Sequence, residues 1–218
     1  MTALELIDVS VNGILENLNL TIQKGEFVIL IGANGAGKTT LFNTVSGATR
    51  IDSGKILMNG SDITNTPQYK RSARISSVIQ EPRLGTIAEM TILENLKLAY
   101  MRNSSKFTLR NTVGYFKEKL ELLGIGLENR LNEYVGNLSG GQRQLLSLVM
   151  AILSDYEILL LDEITAALDP KASNTVMDMS KKIILSESKT CLMITHDVRY
   201  TKSFGDRVLE MKGGQLSF

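Results

Sequence analysis

Phe27-Val28-Ile29-Leu30-Ile31-Gly32-Ala33-Asn34-Gly35-Ala36-Gly37-Lys38-Thr39-Thr40 runs from an unbroken apolar segment, through a glycine-rich octet, into the start of a helical pattern. A segment apolar on both faces suits a central parallel strand, which is covered on each side. Residues 32–39 fit the pattern G-x-x-x-x-G-K-[ST], and residues 38–47 read as a helix. Strand, glycine loop and helix in this order bring backbone N–H groups and a helix N-terminus to one point, where a phosphate is stabilised. Side chains at Gly32, Gly35 and Gly37 would obstruct that approach or the backbone angles it needs. Ala33, Asn34 and Ala36 complete the loop. Lys38 supplies a point charge for β- and γ-phosphates, Thr39 a hydroxyl for Mg²⁺, and Thr40 a further phosphate contact.

On the N-terminal side, Leu4–Val9 and Leu18–Ile22 are β-rich runs set off by turns at Asn12-Gly13 and Lys24-Gly25. On the C-terminal side a strand is expected at Ile75–Gln80, after which the period changes. Ile92, Leu93, Leu96 and Leu98, then Phe116, Leu120, Leu122 and Leu123, then Leu145, Leu146, Leu148 and Val149 recur at helical spacing. The buried strand Ile158–Leu161 resumes the core, followed by a helix from Pro170 to about Leu185. Strands at Thr190–Thr195, Arg207–Met211 and Gln215–Phe218 close the chain. The expected fold class is α/β: a phosphate-loop core with an N-terminal antiparallel β region and an inserted α-helical subdomain. Residues 1–218 form one domain, with 1–88 and 155–218 as the core and 89–154 as the helical insertion.

Asp162 ends an apolar strand, at the edge where ligands of parallel sheets collect. A carboxylate there can hold Mg²⁺ through water, and Glu163, pointing elsewhere, can act as general base on an attacking water. Taken alone, the pair could equally be two solvated acids at a strand end; beside the phosphate loop the catalytic reading prevails. Residues 138–142, Leu-Ser-Gly-Gly-Gln, place Gly140 and Gly141 at the opening of a helix. With the Ser139 hydroxyl this makes a second anion-binding terminus, without an obvious use inside its own monomer.

The phosphate loop, Leu138-Ser139-Gly140-Gly141-Gln142 and Asp162-Glu163, in this order, resemble the ATP-binding cassette (ABC) family of transport ATPases over essentially the whole chain. The resemblance implies binding of ATP with Mg²⁺, ATP hydrolysis, and a head-to-tail dimer in which Ser139, Gly140, Gly141 and Gln142 complete the partner copy's site. It implies that Gln80 senses Mg²⁺ and the attacking water, that Asp169 of Ala167-Leu168-Asp169 crosses the dimer interface, and that His196 is the γ-phosphate switch. It also implies a permease helix seated between Gln80 and the helical insertion. One departure stands out: the family stacks adenine on an aromatic residue of the first hairpin, yet none precedes Phe27, and Val11-Asn12-Gly13-Ile14 looks like a shortened hairpin.

Pro67-Gln68-Tyr69-Lys70-Arg71, Gln80-Glu81-Pro82-Arg83-Leu84-Gly85-Thr86, Leu127-Glu128-Asn129-Arg130-Leu131 and residues 163–170 resemble a bacterial importer group. That group works with a permease and a substrate-binding lipoprotein, and aromatic amino acids are its suggested cargo. A basic or polar residue usually stands where this chain has Ile164. Exporter or lipoprotein-extraction ATPases, and soluble cassette ATPases without a membrane partner, are the alternatives.

Composition agrees with one globular domain: 218 residues, 43% hydrophobic and 22% charged. A net charge of +1 gives no nucleic-acid footprint. The basic cluster Lys70-Arg71-Ser72-Ala73-Arg74 reads as a solvated surface, and the single cysteine, Cys191, as a buried thiol in a reducing compartment. No apolar stretch approaches the roughly 18 residues of a membrane span. The N-terminus lacks the features of a signal peptide. The expected location is therefore peripheral, on the cytoplasmic face of the membrane, with no C-terminal regulatory domain after Phe218.

Overall fold

A computed structural model describes residues 1–101, 112–122, 124–153, 155–166, 168–187 and 189–217. The chain opens with β1 (Thr2–Val11) and β2 (Leu15–Gln23), then β3 (Phe27–Gly32) and α1 (Lys38–Ser46). β4 (Ser53–Met58), β5 (Ser61–Asp62), α2 (Gln68–Arg71) and β6 (Ile75–Val78) follow. The insertion holds α3 (Ile92–Met101), α4 (Thr112–Glu121) and α5 (Gly140–Ile152). β7 (Ile158–Asp162), α6 (Pro170–Glu187), β8 (Thr190–Ile194), α7 (Val198–Ser203), β9 (Arg207–Lys212) and β10 (Gln215–Ser217) complete the chain.

Two sheets form. The larger has the order β10-β9-β3-β8-β7-β6, parallel from β9 to β6 with β10 antiparallel at one edge. The smaller is antiparallel in the order β2-β1-β4-β5. Successive side chains of the central strands enter different cores, as the two-residue period requires. Phe27, Ile29, Leu159, Leu161, Cys191 and Met193 pack with the helical insertion, α6 and α7. Val28, Leu30, Ile158, Leu160, Leu192 and Ile194 pack with α1 and the inner face of the small sheet. Cys191 is fully buried, as expected. The Asn12-Gly13 turn has both residues at positive φ (48° and 64°), the geometry of the tightest hairpins.

Several expectations change. The insertion's apolar positions are not all core: Leu98 and Leu122 are exposed, each two residues beyond a fully buried leucine (Leu96, Leu120) and so across the helix from it. Leu123, Ala167 and Phe218 lie outside the described residues. β4 and β5, which complete the small sheet, went unread because only Ile56 and Met58 of β4 point inward. The basic cluster is not wholly solvated. Arg71 is buried and donates to the carbonyls of Thr44 and Val45 at the end of α1, and to those of Ile63, Thr64 and Thr66. A helix end leaves carbonyls without partners, and a cation there also meets the negative end of the dipole.

Candidate active site

The parallel order β3-β8-β7-β6 places four strand ends side by side at one sheet edge. Beyond β3 comes the phosphate loop, beyond β8 His196, beyond β7 Glu163, and beyond β6 Gln80. This is the carboxyl edge, where open α/β sheets hold ligands. A cavity of about 610 Å³ opens there, lined by Asn34, Gly35, Gly37, Lys38, Thr39, Thr40, Gln80, Glu163, His196 and Ile14.

The loop's glycines are required for different reasons. Gly35 has φ 79° and open space where a Cβ would point, so its constraint is backbone conformation. At Gly32 a Cβ would overlap the Met211 carbonyl oxygen. At Gly37, φ 106°, it would press on Leu15 and Met211. Gly37 also stands at the N-terminal cap of α1, whose first turn carries Lys38, Thr39 and Thr40. Lys38 is buried, and its ammonium donates to the Gly32 and Ala33 carbonyls at 2.8 and 2.9 Å.

Glu163 has φ 47°, left-handed backbone that a non-glycine residue adopts at a cost of roughly 1–3 kcal/mol. Its N–H still bonds to the Ile194 carbonyl, so the distortion begins where the sheet ends. Glu163 Oε1 lies 2.7 Å from His196 Nε2, and Oε2 accepts from Gln80 Nε2 at 3.0 Å. Gln80 and His196, far apart in sequence, thus meet on the Glu163 carboxylate. The Gln144 carboxamide, buried in α5, donates to the Ile79 carbonyl and steadies the backbone just before Gln80. Asp162, one residue earlier, is half-buried. Burial, with the Glu163 carboxylate, raises its carboxyl above the ordinary aspartate value, against the pull of Lys38 and His196.

Ser139, Gly140, Gly141, Gln142 and Asp169 do not line this cavity. Ser139, Gln142 and Asp169 have uses inside the monomer that sequence reasoning had not assigned. Ser139 Oγ accepts from the Gln142 N–H and Gln142 Oε1 accepts from the Ser139 N–H, a capping box that starts α5. Asp169 Oδ1 accepts from the N–H groups of Lys171 and Ala172 and so caps α6. Ile14 was not among the expected site residues; its position at the tip of the shortened hairpin was the available signal.

A family profile for ABC transporters matches residues 15–166 of this chain. The chain belongs to the ABC transporter family. A tyrosine transport ATP-binding protein of Clostridioides difficile is 43% identical over 94% of this chain and 83% of its own length. A phosphonates import ATP-binding protein of Oceanobacillus iheyensis is 33% identical over 94% and 83%. Among solved structures, a dimeric ATP-binding cassette in a post-hydrolysis state with ADP and phosphate superimposes with a TM-score of 0.87 at 26% identity, over 99% of this chain and 97% of that one. This ABC protein is an ATP-binding, ATP-hydrolysing subunit that powers transport, and its fold is the ABC ATPase cassette. Among the described residues no helix is long and apolar enough to cross a membrane.

Proposed function

We propose that this chain drives a bacterial importer of a small solute, with an aromatic amino acid such as tyrosine as the class of cargo. The observation that carries the cargo class is the 43% identity to a protein named for tyrosine transport, above the 33% and 36% to phosphonate and methionine import proteins. In this reading two copies bind ATP head to tail and act on a permease supplied by a substrate-binding protein. The chain sits peripherally on the cytoplasmic face of the membrane.

The geometry supports the following site roles. Gly32 to Thr40 cradle the phosphates, and Lys38 redirects its ammonium from loop carbonyls to phosphate oxygens. Glu163 takes the proton of the attacking water. Gln80 and His196 orient that carboxylate, each through a direct contact. His196 also faces the cavity as a γ-phosphate donor. Ser139, Gly140, Gly141, Gln142 and Asp169, outside their own cavity, serve the partner copy's site, with residues 89–154 turning as a subdomain against the core. Ser139 accepts through one lone pair in its capping box, so its hydroxyl hydrogen is still available to a phosphate.

Mg²⁺ fits the donors present. Thr39 and Gln80 line the cavity with neutral oxygens, and Asp162, at the end of β7 behind the cavity wall rather than lining it, supplies one half-buried carboxylate next to Glu163. Magnesium typically takes one or two carboxylates, several waters and phosphate oxygens. No cluster of three or more His, Cys, Asp or Glu forms an all-protein cage among the described residues. When bound, the ion would neutralise charge on the transferred phosphoryl group.

Affinity purification of the chain from membranes in mild detergent, with mass spectrometry of its companions, tests this reading. A multi-spanning permease and a substrate-binding protein that binds tyrosine are expected. Ribosomal or DNA-repair companions, or a permease without a binding protein, would overturn the importer assignment and leave the ATPase chemistry standing.

A further inference from the structure

Three segments distant in sequence meet: the first hairpin's tip, the phosphate loop, and the turn between β9 and β10. Gly214, in that turn, donates its N–H to the Ala36 carbonyl at 2.9 Å. A Cβ on Gly214 would overlap the Ile14 carbonyl oxygen and lie 3.3 Å from Leu15 Cα. From the loop side, a Cβ on Gly37 would lie 3.1 Å from Leu15 Cδ2, 3.3 Å from Met211 Sδ and 3.5 Å from Gly214 Cα. The Gly214 backbone is thus wedged between the hairpin tip that carries Ile14 and the loop that carries Ala36 and Gly37. Ile14 and that loop line the same cavity.

We propose that Gly214 is a positioning residue of the nucleotide site. By fitting between hairpin tip and phosphate loop, it sets the gap that a bound nucleotide spans from its base end to its phosphates. It touches neither, and it acts on binding rather than on the proton transfer at Glu163. Neighbouring Gly213 provides the contrast. It also has positive φ (54° against 77° for Gly214), but nothing lies within 4 Å of where its Cβ would be. Alanine at either position meets the same class of backbone penalty, and only at Gly214 does it strike the hairpin.

The inference rests on the ATP site described above, and the test separates the two. In the full chain, Gly214→Ala should raise both the Kd and KM for ATP by about tenfold or more, with kcat changed by only about twofold. Gly213→Ala should leave Kd within about twofold, with a loss of melting temperature that reflects the backbone penalty alone. Equal effects of the two variants on Kd, or an unchanged Kd in Gly214→Ala, would overturn the proposal. If Gly214→Ala does not fold, hydrogen exchange on the unaltered chain decides. Added ATP should protect residues 11–15 and 211–217 together with 33–40, and protection of 33–40 alone would sink the wedge. Lys38→Ala is the control for the site: retained ATP binding there would refute the phosphate-loop reading itself.

Discussion

Replacing Glu163 with Gln keeps the side chain's size and removes its negative charge and, with it, the capacity to accept a proton. The glutamine amide has nearly the same shape, and its one remaining oxygen can still accept from either His196 or Gln80, both now within 3.0 Å of the carboxylate. The fold and the phosphate loop should therefore be unchanged. General-base catalysis contributes roughly 10²–10⁴-fold, which is about 3–5 kcal/mol at about 1.4 kcal/mol per decade. Turnover should fall by that factor while ATP still binds and holds the closed dimer. Because His196 and Gln80 both act on this carboxylate, their effects should not add. His196→Ala on the Glu163→Gln background should cost less than His196→Ala alone, the remainder being its direct contact with the γ-phosphate. Steady-state phosphate release by the four proteins of this cycle, with melting curves for each, measures it. Normal turnover in Glu163→Gln, or fully additive losses, would refute the assignment of the base and its orienting partners.

Nucleotide affinity and selectivity should both be poor, because Ile14 at the cavity offers neither a ring, which would contribute about 1–3 kcal/mol of stacking to any base, nor a polar group that could read the base edge. The ratio of kcat/KM for GTP over ATP should lie near one, and a ratio far below one would contradict this. Arg71→Ala should destabilise the chain by about 3–5 kcal/mol, since it leaves five carbonyl bonds unmade, three of them within the interior, as urea titration would read. A loss under about 1 kcal/mol would mean water replaces the guanidinium. The Arg74 hydrogen bonds hold the Glu157 carboxyl below its ordinary 4.5, aided by Asn59. A lowered acid pKa stabilises the fold above the ordinary value, and that contribution is lost as pH falls through the folded pKa. With 41% and 40% of the two side chains exposed, it is at most about 1 kcal/mol. The stability gap between the parent and Glu157→Gln should therefore close on acidification from pH ~7 to pH ~3; a gap that persists would show that the pair stabilises by packing.

Local chemistry is what a sequence carries most directly, and here it carried much of the site. The run into Gly32–Thr39 needed no tertiary information, because an unbroken apolar strand, a glycine loop and a helix start are all short-range properties. The Asn12-Gly13 turn, the burial of Cys191 and the strand ending in Asp162 were legible for the same reason. Ser139–Gln142 and Asp169 were legible as a family pattern, yet their capping of α5 and α6 was visible only in three dimensions.

Long-range packing decided the rest. No local rule says that Arg71, inside a basic run, should enter the interior to satisfy the end of α1. Nor does one separate Leu96 from Leu98 until the helix has a side to lie on. Glu163 faces Gln80 and His196 because strand order puts β6, β7 and β8 side by side, and a left-handed backbone turns the chain just past β7. Gly214, 200 residues from Ile14 in the chain, became significant only through a contact that folding creates. Spacing along the chain sets which groups are available, but their distances depend on which strands pair, and that is settled by burial of the whole core at once.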